Sequence, residues 1–165
     1  MAALTPGKTA PDFSLPAMNG SKFSLREALS RGPVLAAFFK ISCPVCQFAV
    51  PVLERVYRAQ GNKNVTIVGI SQNEAKDTAA FAQEYGVTFP ILLDDTTAFP
   101  VSNAYGLTNV PTIFWIGQDG EIDLSSVGWS RNDIEEINRK AAEANGEALT
   151  PFFRPNEDVP EFRAG

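Results

Sequence analysis

The sequence predicts an α/β protein in which helices cover both faces of a mixed central sheet. Short runs of branched and apolar residues, typical of buried strands, alternate with longer segments whose apolar residues recur at helical spacing. One run, residues 34–39, is apolar throughout, as expected for a central strand that is buried on both faces. A predicted hairpin and a closing helix end the pattern, so antiparallel pairs should join the parallel ones.

We expect a β-hairpin near the start of the chain. Residues 11–16 and 22–25 alternate apolar with polar side chains, and Asn19-Gly20 between them is a turn signal. The strand over residues 34–39 comes next and leads directly into the cysteines of the chain.

Residues 44–60 predict an amphipathic helix, because apolar residues recur there at helical spacing. The apolar positions are Phe48, Val52, Leu53, Val56 and Tyr57. Pro51 lies inside this helix, where it removes one backbone hydrogen bond and should kink the axis. Gly61-Asn62 is expected to end the helix.

The central part of the chain predicts three further strands and two helices. The branched run at residues 65–70 is typical of a strand, and residues 74–85 carry apolar side chains at helical spacing. A strand is expected at residues 91–93, followed by a short helix over residues 97–104. A loop then leads into a strand at residues 113–116.

The last predicted elements close the fold. Asp119-Gly120 is a turn signal that pairs the preceding strand with residues 121–128. A helix over residues 130–144 follows, and Asn145-Gly146 ends it.

A chain of 165 residues suits one domain with a single core, which we place at residues 1–149. Residues 150–165 contain three prolines among charged residues and predict an irregular tail. A net charge of −5 and the lack of a basic run argue against a nucleic-acid partner. No stretch is long enough to span a membrane.

The start of the chain predicts the compartment. It lacks a basic segment followed by a long apolar stretch, so no secretory signal is expected. A cytoplasmic location is therefore favoured. An exported or periplasmic location is the alternative if a leader has been removed.

Two cysteines, the only ones in the chain, stand as Cys43-Pro44-Val45-Cys46 between the predicted strand and helix. Backbone N–H groups at a helix start favour a thiolate, and the second sulfur lies within bonding reach. The pattern indicates thiol-disulfide exchange with no cofactor besides the redox-active Cys43–Cys46 disulfide. A structural disulfide or two inert thiols are the alternative. A metal site is disfavoured, because two cysteines and no histidine fall short of the four ligands that zinc takes.

Three features together resemble the thioredoxin fold. They are a strand that ends in CxxC, a helix with a proline five residues past the second cysteine, and Val110-Pro111-Thr112 at the opening of a later strand. The resemblance implies a three-layer α/β/α sandwich and a cis peptide bond before Pro111. It also implies a substrate groove in which Val110 offers backbone hydrogen bonds and to which Pro111, Pro44 and Val45 contribute.

Residues 10–15, the hairpin after them and an inserted central segment, residues 73–95, resemble the redoxin group, the AhpC/TSA superfamily. This group contains TlpA-like thiol-disulfide oxidoreductases and peroxiredoxins. Peroxiredoxins carry a Pro-x-x-x-Thr/Ser-x-x-Cys signature, whereas Ala36 and Lys40 stand at its first two places before Cys43. The resemblance therefore implies a TlpA-like thiol-disulfide oxidoreductase. A thiol peroxidase and a redox-inert binding module are the alternatives.

In the reaction that the resemblance implies, Cys43 attacks a substrate disulfide and Cys46 resolves the mixed disulfide. The expected partners are protein or small-molecule disulfides or dithiols, together with an electron donor that the sequence does not identify.

Residues that could support the cysteines follow from the same resemblance. Ala37 stands where thioredoxins have a buried acid that helps to move the proton of the resolving thiol. Glu74, in the inserted segment, is the candidate for that role, with Gln72 or Asn73 as alternatives. Lys40 either adds electrostatic support to the thiolate or is solvated.

Overall fold

A central sheet of five strands organises the computed structural model, which describes residues 2–60 and 63–165. The strands are β1 Ser14–Pro16, β2 Lys22–Ser24, β3 Val34–Phe39, β4 Thr66–Ser71, β5 Ile91–Leu93, β6 Thr112–Ile116, β7 Ile122–Val127, β8 Trp129–Ser130 and β9 Phe162–Arg163. The helices are α1 Leu25–Leu29, α2 Pro44–Gln60, α3 Ala75–Tyr85, α4 Pro100–Ala104 and α5 Arg131–Ala144.

The central sheet has the strand order β5-β4-β3-β6-β7. Strand β4 runs parallel to both β3 and β5, whereas β6 runs antiparallel to both β3 and β7. The predicted mixed sheet is therefore confirmed. Strands β1 and β2 form the predicted N-terminal hairpin beside it.

Alternate side chains of β3 enter two separate cores, because successive residues of a strand point to opposite faces. Leu35, Ala37 and Phe39 pack with residues of α2, α3 and α5. On the opposite face, Val34, Ala36 and Phe38 pack with residues of α1, α4 and the hairpin. Helices thus cover both faces of the sheet, and the predicted three-layer sandwich is confirmed.

Two local predictions need correction. The sequence pattern missed α1, a single turn of five residues whose N-cap, Ser24, accepts a hydrogen bond from the Glu27 N–H. A helix this short has too few turns to show apolar periodicity. The short helix expected at residues 97–104 is confined to Pro100–Ala104. The predicted stop at Gly61-Asn62 lies outside the described residues.

The tail from residue 150 is more ordered than expected. Its residue Phe153 is buried, with its ring centroid 6.3 Å from that of Trp129. The Trp129 indole N–H donates to the Pro160 carbonyl oxygen at 2.7 Å. Strand β9 pairs antiparallel with β8. These contacts join residues far apart in sequence, which local composition does not reveal.

Among the helices of residues 2–60 and 63–165, none has both the length and the apolar character needed to cross a bilayer.

A buried carboxylate, that of Glu54, ties α2 to the segment before β5. Glu54 is 4% exposed, and its Oε1 accepts hydrogen bonds from the N–H groups of Thr88 at 2.8 Å and Phe89 at 3.2 Å. Its Oε2 accepts from Thr88 Oγ1 and, at 2.8 Å, from Arg58 Nε. Burial raises the pKa of this carboxyl, but the hydrogen bonds from Thr88, Arg58 and Phe89 outweigh it and hold the pKa below its usual range.

Glu54→Gln is expected to destabilise the fold by about 1–3 kcal/mol at pH 7, because an amide NH₂ replaces the oxygen that accepts from Arg58 and Thr88 Oγ1 and cannot accept these bonds. A lowered folded-state pKa stabilises the native state above the unfolded pKa, and that contribution is lost as the pH falls. The difference between wild type and variant should therefore shrink below about pH 4.3. Urea unfolding at a series of pH values above and below this point measures the difference in free energy of unfolding. Glu84→Gln, at an exposed position, is the control. A pH-independent difference would contradict the assignment.

Candidate active site

The two cysteines lie where β3 gives way to α2. Cys43 directly precedes the helix and is half-buried, whereas Cys46 lies in the first turn with no exposed surface. Both are free thiols. The strand-to-helix position predicted for the pair is confirmed.

The sulfur of Cys43 faces the open end of the helix. The Cys46 N–H donates to Cys43 Sγ at 3.2 Å, so the sulfur takes up one of the N–H groups that a helix start leaves without an intrahelical partner. Such a donor, together with the helix dipole, stabilises negative charge on sulfur. The Cys43 thiol in turn donates to the Val110 carbonyl oxygen at 3.5 Å.

The environment of Cys46 disfavours negative charge on its sulfur. Burial raises the pKa of the Cys46 thiol well above its usual range, and a hydrogen bond with the Cys43 side chain raises it further. The backbone of Lys40 lowers this pKa without offsetting the burial. Cys46 is therefore a protonated thiol at neutral pH, while Cys43 is the partner that solvent can reach.

The loop that leads into Cys43 is held by two amide side chains. The Ile41 N–H donates to Asn73 Oδ1 at 3.0 Å, and Gln47 Nε2 donates to the Ile41 carbonyl oxygen at 2.9 Å. Asn73 lies in the loop after β4, and Gln47 lies in α2. They fix the approach to the helix start and hence the position of the Cys43 sulfur.

Cys43 opens into a cleft of about 460 Å³. Besides Cys43, the cleft walls include Lys40, Pro44, Gln72, Asn109, Val110 and Gly165. The Val110–Pro111 peptide bond is cis, as the family resemblance implied, and Pro111 is buried. The Cys43 sulfur therefore faces this cleft beside the Val110 carbonyl.

Besides Cys46, three residues predicted at the site are not among those that line the cleft, and the buried Pro111 is one of them. Val45 is partly buried and packs against the core that contains α2. Glu74 is exposed just before α3, where its carboxylate accepts a hydrogen bond from Thr96 Oγ1. The proposed proton-moving role of Glu74 stays a prediction that this geometry does not support.

The alternative named from the sequence, Gln72, does line the cleft. Its Nε2 donates to Ser102 Oγ at 2.9 Å, and Ser102 Oγ donates to the buried Asp94 carboxylate at 2.7 Å. Asp94 also accepts the Ser102 N–H at 2.8 Å. This chain of bonds fixes the Gln72 side chain. Sequence patterns did not reveal it, because it joins the loops after β4 and β5 to helix α4.

Gly165 lines the cleft as well, and sequence reasoning did not predict it. Asn109 Nδ2 donates to the Gly165 carbonyl oxygen at 3.2 Å, which brings the tail to the loop before β6. The only signal in the sequence was that three phenylalanines, Phe152, Phe153 and Phe162, could attach the tail to the body of the protein.

Within residues 2–60 and 63–165, no group of three or more His, Cys, Asp or Glu side chains is placed to hold a metal ion.

Comparison with known proteins identifies the family. The sequence profile of the AhpC/TSA family matches residues 6–125. The chain is 32% identical over 133 residues to thiol-disulfide oxidoreductase ResA of Halalkalibacterium halodurans, a match that covers 79% of this chain and 74% of ResA.

Two solved structures are similar in fold. The thioredoxin domain of a thiol-disulfide oxidoreductase from Bacteroides vulgatus matches with a TM-score of 0.74 at 23% identity, over 84% of this chain and 98% of that one. A thiol:disulfide interchange protein of the thioredoxin family from Chlorobium tepidum matches with a TM-score of 0.69 at 26% identity, over 85% and 99%. The predicted thioredoxin-like fold is therefore confirmed, and the chain belongs to the AhpC/TSA family.

Proposed function

We propose that Cys43 and Cys46 carry out the reaction of this protein, with Cys43 as the attacking thiol and Cys46 as the resolving thiol. The class of activity, thiol-disulfide oxidoreduction, agrees with the 32% identity to ResA. The observation that carries the assignment is the contrast between the two sulfurs. Cys43 accepts a helix N–H in an open cleft, and Cys46 is a buried thiol with a raised pKa.

In the reducing direction the Cys43 thiolate attacks one sulfur of a substrate disulfide. A mixed disulfide forms, and the first substrate thiolate leaves. Cys46 then attacks the Cys43 sulfur, which forms the Cys43–Cys46 disulfide and releases the second substrate thiol. Two electrons pass from protein to substrate, and an external dithiol must return them. The reverse sequence oxidises a dithiol.

The resolving step requires Cys46 to lose its proton. The chain contains no histidine, and Ala37, 2% exposed in the core, stands where a buried acid would help in thioredoxins. The leaving thiolate or water is therefore the proton acceptor that we propose. Gln72 can orient such a water, because its side chain lines the cleft.

Resolution of the mixed disulfide is expected to accelerate with pH. A raised pKa leaves only a small thiolate fraction of Cys46 at neutral pH, and that fraction grows about tenfold per pH unit. We expect the rate of release of the second thiol to rise about tenfold from pH 7 to pH 8. Alkylation of the released thiol after rapid quenching of a single turnover measures this rate. A rate independent of pH would show that the proton of Cys46 passes to the leaving thiolate and not to water.

Reduction of insulin disulfides with dithiothreitol as electron donor is the test of the activity. We expect turnover above the rate of dithiothreitol alone. Hydrogen-peroxide consumption should stay near background, because the peroxidatic signature is absent. Ala36 is buried, and Lys40 replaces the signature hydroxyl residue before Cys43. Peroxide turnover without insulin reduction would favour the thiol peroxidase instead.

We favour the reducing direction, in line with the predicted cytoplasmic location, which itself stays a prediction. The direction depends on the reduction potential of the Cys43–Cys46 pair relative to its compartment. Equilibration with glutathione buffers measures that potential. A strongly oxidising value would reverse the proposed direction and favour an exported location.

A further inference from the structure

The tail crosses the face of the molecule that carries the cleft. In strand β9, Arg163 pairs with Trp129 of β8. Just before β9, the Glu161 carbonyl oxygen accepts the Arg131 N–H at 3.0 Å. The Arg163 guanidinium lies 5.2 Å from the ring centroid of Phe48 in α2. The tail therefore contacts the helix that begins directly after Cys43 and contains Cys46.

Beyond β9 the tail reaches the substrate side of the cleft. Besides the bond from Asn109, the backbone of Gly165 packs so closely on the Val110 carbonyl oxygen that a Cβ at Gly165 would collide with it. Gly128 lies equally close to the tail, because a Cβ added to Gly128 would be 2.5 Å from the Arg163 carbonyl oxygen. Gly128 has a φ of +78°, where side chains are strained. Two glycines thus permit this close backbone contact.

The position of Gly165 conflicts with the docking of an extended substrate. A polypeptide that pairs with the Val110 backbone needs the space beside the Val110 carbonyl, and Gly165 fills part of it. A small disulfide needs only the cleft of about 460 Å³ in front of Cys43. The two classes of substrate should therefore respond differently to the tail.

The tail is also held weakly enough to be displaced. All residues from Glu161 to Gly165 are exposed, and Phe162 exposes 62% of its surface. Only two residue pairs join β8 and β9. Segments with little buried area and few hydrogen bonds open at low free energy.

We propose that the segment 162–165 is a specificity element that occupies the docking edge beside Val110 and must be displaced before a polypeptide disulfide reaches Cys43. Small disulfides react without this displacement. The inference rests on the proposed function and adds a preference between substrate classes. When a binding-competent state is only partly populated, apparent affinity falls by that fraction.

The test compares the full chain with a chain that ends at Glu161. Each pre-reduced protein is mixed with insulin or with bis(2-hydroxyethyl) disulfide, and formation of the Cys43–Cys46 disulfide is followed by alkylation and mass spectrometry. We expect the shorter chain to react about tenfold faster with insulin and at an unchanged rate with the small disulfide. Thermal unfolding checks that the shorter chain folds.

A second variant keeps the full length. Gly165→Val places a side chain against the Val110 carbonyl and should also accelerate the reaction with insulin. Ala148→Val, at an exposed position before the tail, is the matched control and should react like wild type. An unchanged insulin rate in both tail variants, or equal acceleration with both disulfides, would overturn the inference. Failure of the full chain to react with either disulfide would instead overturn the proposed function.

Discussion

Replacing Cys43 with serine is expected to lower insulin reduction to the background of dithiothreitol alone. Cys43 is the cysteine that lines the open cleft, and its sulfur accepts the Cys46 N–H. Cys46 has no exposed surface and a raised pKa, so it cannot take over the attack. Turnover of the insulin assay measures the loss.

Ser42→Ala is the matched control for this variant, because Ser42 is the exposed neighbour of Cys43 in the same loop. It should retain wild-type turnover. A Cys43→Ser protein that still reduces insulin at a substantial rate would show that Cys46 can attack, and the assignment of the two roles would be wrong. Circular dichroism of each variant checks that a loss of activity does not come from unfolding.

The cysteine pair could be predicted from sequence because its signals are local. An apolar run before a helical pattern defines the junction of β3 and α2, and the CxxC stands at that junction. The loop with Val110-Pro111 was found through a family motif. Its contact with Cys43 spans 67 positions of sequence, which periodicity alone does not report.

The surroundings of the pair were harder to predict. Glu74 was the candidate because the family resemblance implies a glutamate from the inserted segment. In the structure Glu74 lies just before α3, and its carboxylate accepts a hydrogen bond from Thr96 Oγ1. The neutral Gln72 lines the cleft instead, held through Ser102. Which side chain of a loop faces the cleft depends on hydrogen-bond partners from other segments of the chain. These partners show no regular spacing in the sequence.

The path of the tail was also not predictable from local sequence. Prolines and charges at residues 150–165 predicted irregular structure, and most of the segment lacks helix or strand. Its path is set by Trp129, which packs on Phe153 and donates to Pro160. Such anchoring by one buried indole depends on three-dimensional complementarity, so the approach of Gly165 to the cleft emerged only from the structure.

Replacing Cys46 with serine is expected to stop the reaction after the first exchange and to leave substrate attached to Cys43. The first step needs only the Cys43 thiolate, which forms a mixed disulfide and releases one substrate thiolate. Without a second thiol beside it, the bond persists until an external thiol arrives. Mixing with bis(2-hydroxyethyl) disulfide, removing excess reagent and measuring the intact mass should show about one adduct per chain.

The wild-type protein, treated in the same way, should show an oxidised pair and no adduct, since Cys46 displaces the bound half. A serine hydroxyl at the fully buried position of Cys46 costs about 1–3 kcal/mol if it lacks a partner, so Cys46→Ala serves as a second variant. Persistent adducts in both variants and none in Cys43→Ser would establish the order of attack and resolution. Adducts that disappear from both variants at the wild-type rate would mean that Cys43 works alone, and Cys46 would then be a core thiol without a role in exchange.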